Sequence, residues 1–134
     1  MDAAQALREL TEISSQIEAA CMFDSSGAEL ASTLEDEAAA KRFSTAAQEL
    51  LAKALDVSQA PEAPLAQLEA ATLEGSIFVV LDGDVAVAAV TRPEPTVGLV
   101  FYDLKSCLRA AGTPGDGDGR PRPRAKRGAS ESAA

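Results

Sequence analysis

The stretch Gly75–Val90, GSIFVVLDGDVAVAAV, limits the possible folds of this chain more than any other. Two apolar runs, Ser76–Leu81 and Val85–Thr91, flank Asp82-Gly83-Asp84. The acidic, glycine-containing joint predicts a tight hairpin turn, with Gly83 accepting a positive φ. Strand side chains alternate between faces. Ile77, Val79 and Leu81 then point one way and Phe78 and Val80 the other, while Val85, Val87 and Ala89 oppose Ala86, Ala88 and Val90. Both faces are apolar, so both need cover, and amphipathic helices are the natural cover for a sheet of this kind. Neither run approaches the roughly 20 residues of a membrane-crossing helix.

The rest of the chain offers three helices. Leu7, Leu10 and Ile13 recur at helical spacing within residues 3–15. A long helix is expected from about Leu34 to Leu55, capped by Ser32 or Thr33 with Glu35 or Asp36 three residues on. Its apolar stripe reads Phe43, Ala47, Leu50 and Ala54, widened by Ala46, Leu51 and Leu55. The last helix, VGLVFYDLKSCLRAAG, shows Val97, Phe101, Leu104, Leu108 and Ala111 on one face and Gly112 at its end. Strands are expected at Ile17–Asp24, in ELAST after a turn at Gly27, and at Leu65–Thr72, with a connector marked by Pro61 and Pro64. The order is α-β-β-α-β-β-β-α. It implies a five-stranded antiparallel sheet in a three-layer α/β sandwich, with the long helix on one side and the terminal pair on the other.

Charge divides the chain. Residues 1–111 hold 18 acids against 7 bases and residues 112–134 hold 3 against 5, which together make the net −9. So acidic a domain, 1–111, repels nucleic acid and anionic lipid. The tail, 112–134, has no apolar residue larger than Ala and reads as disordered. Its basic run offers Arg120, Arg122, Arg124, Lys126 and Arg127 to an acidic partner, to an anionic surface or to the domain itself. GDGDGR has a calcium-loop flavour, but Arg120 and Arg127 stand where acidic ligands belong.

Catalytic chemistry has little to work with. The chain has no histidine, which removes the usual neutral-pH base, the Ser-His and Cys-His pairs and most zinc sites. Cys21 and Cys107 lie in apolar contexts and read as reduced core thiols of a cytoplasmic protein. No GxxxxGK[ST] motif is present. Arg8, Arg42, Arg92 and Arg109 are the arginines of the domain, and only Arg92, in TRPEP, sits in a distinctive loop. No cofactor, metal or catalytic residue is expected.

The segments AACMFDSSGAELAST, LEGSIFVVLDGDVAVAAVT and PTVGLVFYDLKSCL, with the long helix between the first two, resemble the roadblock/dynein light-chain family over about residues 5–111. The resemblance implies a profilin-like fold, a homodimer formed through the long second helices and sheet edges, and a non-enzymatic regulator of a small Ras-like GTPase. A scaffold in a signalling or motility complex without GTPase contact is the alternative, and a small-molecule sensor a third. On the long helix, Lys41, Arg42, Glu49 and Lys53 form either a solvated face or the rim of a partner surface. Ala38, Ala39 and Ala46 suit close helix–helix approach, which packing within the chain would explain equally well.

Overall fold

The computed structural model describes residues 1–57 and 65–112. Its elements are α1 (Ala3–Ile13), β1 (Ile17–Asp24), β2 (Glu29–Ser32), α2 (Glu37–Asp56), β3 (Leu65–Thr72), β4 (Gly75–Asp82), β5 (Val85–Thr91) and α3 (Val97–Gly112). The expected connector at Pro61 and Pro64 and the expected disorder of the tail lie outside the described residues.

The strands form one five-stranded sheet in the order β2-β1-β5-β4-β3, antiparallel throughout. The β4–β5 hairpin of the apolar stretch occupies its middle. Gly83 turns it with φ +65°. At the other end of β4, Gly75 has φ +155°, and a Cβ there would stand 2.3 Å from the Thr91 carbonyl oxygen. The close approach of these two strand ends therefore requires glycine.

Alternation divides the core as the hairpin demands. Phe78, Val80, Val87 and Ala89 join Ala20 and Met22 beneath α1 and α3, meeting Leu7, Leu10, Val100 and Leu104. Phe78 and Phe101 pack edge to face at 5.0 Å and 77°. On the opposite face Val79, Ala86 and Ala88 join Cys21 and Phe23 beneath Ala47 and Leu51 of α2. Cys21 and Cys107 thus belong to different layers, and both are free thiols. Burial raises the Cys21 thiol to about 12 and the Cys107 thiol to about 11, with Glu29 and Glu9 adding smaller upward pushes.

Three helix readings need correction. α1 stops at Ile13, where Ser14 takes an extended conformation, and its buried seam is Ala6, Leu7 and Leu10, with Ile13 73% exposed. α2 starts at Glu37, capped by Asp36 and not by Ser32 or Thr33. Those two hydroxyls are already engaged: Ser32 Oγ accepts from Leu34 N and Thr33 Oγ1 from Ala20 N, so both belong to the sheet edge. In α3 the buried seam is Val100, Leu104, Cys107 and Leu108, and Val97 stands at its exposed start.

Candidate interaction surface

The two sheet edges differ. β2 is a four-residue strand with an irregular step against β1, between Met22 and Phe23. β3 pairs along its whole eight-residue length with β4, in regular register from Leu65↔Asp82 to Thr72↔Gly75. Its other side has no strand partner among the described residues. Eight residues of regular strand extend roughly 27 Å, and every second residue turns its backbone N–H and C=O outward.

α2 lies over the sheet with an offset. Its buried residues are Ala40, Ser44, Ala47 and Leu51, a seam one step away from the stripe expected in the sequence. Ser44 occupies an apolar-looking place because Gln48 Nε2 donates to its hydroxyl at 2.9 Å and to the Gly27 carbonyl at 3.2 Å. These contacts fasten α2 to the β1–β2 turn. That turn is itself held by Asp24, whose Oδ1 accepts from Ser26 N, Ser26 Oγ and Ala28 N. The Ser26 hydroxyl, followed by the two amides, holds the Asp24 carboxyl below its ordinary value.

The offset leaves the other flank of α2 open. Ala39, Phe43, Leu50 and Ala54 are only half-buried and Ala46 is exposed. At 100° per residue these five form a continuous apolar strip, on the side of the helix opposite Gln48 and so turned away from β2. Half-buried Leu68 of β3 and Ile77 of β4 continue the apolar surface onto the sheet.

The residues expected at a partner surface fall into two groups. Lys41, Arg42, Ala46 and Glu49 line one shallow depression on the outward face of α2, with exposed Lys53 one turn beyond. Ala39 belongs instead to the apolar strip. Arg120, Arg122, Arg124, Lys126 and Arg127 lie outside the described residues. Arg92 is exposed at the end of β5, in a loop pinned through Gln16: the Arg92 amide donates to the Gln16 carbonyl at 3.2 Å and the Thr96 amide to Gln16 Oε1 at 2.6 Å. Glu94, between them, has φ +56°. The sequence carried no sign that Gln16 would take this role.

Small-molecule chemistry finds little purchase. The grooves beside β2, the β1–β2 turn and the end of α3 lie at the surface, and the small residues of β5, Ala86, Ala88 and Ala89, are packed into the two cores. Among the described residues no group of three or more His, Cys, Asp or Glu is placed to hold a metal ion. Nor is any described helix long and apolar enough to cross a membrane.

No family model and no curated protein matches the chain. Solved structures do. One Roadblock/LC7 domain structure from Streptomyces avermitilis superposes with a TM-score of 0.70 at 13% identity, covering 82% of this chain and 94% of the other. Another, also a Roadblock/LC7 domain from Streptomyces avermitilis, gives 0.62 at 17% identity, with coverages of 79% and 94%. Element order, sheet topology and these superpositions agree: the chain has the Roadblock/LC7 fold.

Proposed function

We propose that the chain is a non-enzymatic interaction module that pairs with a second copy of itself through α2 and β3 and, as a dimer, binds and regulates a small Ras-like GTPase. The observation that carries the first part is the apolar strip Ala39-Phe43-Ala46-Leu50-Ala54, left half-open on the side of the eight-residue strand β3, whose outer edge has no strand partner among the described residues. An open edge of this length and an apolar strip invite pairing. A second copy satisfies both at once, since its own edge is the same length and its own strip equally apolar. Small Ala39 and Ala46 let two α2 backbones approach, and Arg42, Glu49 and Lys53 then form a polar rim along the outward side of the strip, with Lys41 farther round the helix toward β2.

The GTPase part rests on the likeness to Roadblock/LC7 domains and on the sequence resemblance. Without a histidine and with both thiols buried, the chain has few groups to lend to hydrolysis. Any effect on the rate would come from ordering the GTPase's own switch segments.

The test is binding of the purified chain to the Ras-like GTPases of its source cell, each loaded with GDP or with a non-hydrolysable GTP analogue. At least one should bind in one nucleotide state at least about tenfold more tightly, a difference of ~1.4 kcal/mol. Binding that ignores nucleotide state, or none, overturns the GTPase reading and leaves the scaffold.

A further inference from the structure

The short edge of the sheet poses a separate question. β2 is as open as β3 on its outer side, with no strand beyond it among the described residues. Thr33 N donates to Ala20 O at 2.9 Å and Ala31 lies opposite Met22. Alternate residues of an antiparallel ladder face the partner, so Ser32, between them, turns its N–H and C=O outward. The irregular step leaves Leu30 without a counterpart on β1, and Leu30 is 44% exposed.

Two grooves meet at this edge. One, about 640 Å³, runs between β2 and the N-terminal half of α2, where Glu29 and Glu37 outnumber Lys41. Exposed Glu35 and Asp36 precede the same helix. The other groove, about 730 Å³, is lined by both Leu30 and Gly112, so α3 ends beside β2. From Gly112 the chain continues for 22 residues, numbered 113–134.

The segment Arg120-Pro121-Arg122-Pro123-Arg124 has the spacing of a one-sided strand. In an extended chain the backbone N–H groups of residues i and i+2 point the same way. The three arginines then present their N–H groups to one side, and both prolines, which have none, fall on the other. Proline is tolerated in sheets where its nitrogen faces solvent at an edge. Residues 113–119 reach up to roughly 23 Å when extended, enough to pass from Gly112 along the shared groove to β2.

Side-chain direction agrees. Ser32 lies opposite Cys21, which belongs to the layer beneath α2. A residue paired with Ser32 from outside therefore projects its side chain to the α2 side, toward Glu29 and Glu37.

We propose that Arg120–Arg124 of the chain's own tail pairs with the outer edge of β2 and lays its arginines in the acidic groove between β2 and α2. The prolines then close that edge to further strands, leaving β3 as the edge open to a partner.

Amide hydrogen exchange at Ser32 tests this in the full chain. This amide should exchange roughly tenfold more slowly in the native chain than in a variant with Arg120→Glu, Arg122→Glu and Arg124→Glu, and the difference should vanish in high salt. Equal exchange in the two chains at low salt overturns the proposal. Arg122→Pro and Arg122→Gln lose the same charge, but only the first loses the N–H. Greater deprotection by Arg122→Pro supports strand pairing, and equal deprotection overturns it. Finally, the isotope-labelled triple variant is mixed with excess unlabelled native chain. Unchanged exchange supports docking of the chain's own tail, and protection of the labelled amide overturns it in favour of the tail of a second copy.

Discussion

Asp36 decides where α2 begins. Its side chain accepts from Ala39 N at 3.2 Å, while the hydroxyls of Ser32 and Thr33 serve the sheet edge. Removing an N-cap carboxylate costs about 1 kcal/mol, so Asp36→Ala should lower the melting temperature, whereas a cap at Ser32 or Thr33 would leave it unmoved. The cysteines give a second check at this scale. With thiols pushed up to about 12 and 11, neither side chain holds an appreciable thiolate fraction at pH 8. Both Cys21 and Cys107 should resist alkylation in the native chain and react promptly in denaturant. Asp24 gives a third. Its folded carboxyl lies below the ordinary value, so the β1–β2 turn gains stability that is present above the unfolded pKa and lost as pH falls through the folded one. The Ser26 and Ala28 amide resonances should titrate together, with a midpoint below that of an ordinary aspartate.

At the scale of elements, the hairpin was the most legible feature. Its two apolar faces required helices above and below, and Phe78, Val80, Val79 and Ala88 fall into the two layers that strand alternation assigns. Val80→Asp should unfold the domain, because an unpaired buried charge costs several kcal/mol or more, comparable to the whole stability of about 5–15 kcal/mol. Gly75→Ala forces a Cβ against the Thr91 carbonyl and should cost on the order of 2–3 kcal/mol. The helices were less legible at their edges and faces. Apolar spacing gave α2 a stripe through Phe43 and Leu50, but its buried seam runs through Ser44. No periodicity rule assigns a serine there, because its place depends on Gln48, which also reaches the Gly27 carbonyl 21 residues before it in the β1–β2 turn. For the candidate surface, the residues expected on α2 come from two faces of the helix, with Ala39 grouped with the charges of the outward side. Only the rotation of α2 on the sheet separates them.

For the whole molecule, that rotation is what connects the fold to the proposed pairing of two chains. A helix that buried Phe43, Leu50 and Ala54 completely would leave a self-sufficient domain. The observed seat leaves them half-open next to β3, so one chain carries more apolar surface on this side than it covers. Charge works in the same direction, since the strip is uncharged and Arg42, Glu49 and Lys53 border its outward side. Ala46 is exposed in the single chain, so Ala46→Glu should leave folding intact and place a charge inside a paired interface. Sedimentation equilibrium at micromolar concentration tests the account most directly. The native chain should have twice its 13.8 kDa mass and Ala46→Glu the mass of one chain, with the same circular dichroism. A native chain that sediments as a monomer, or an Ala46→Glu chain that remains a dimer, would contradict it.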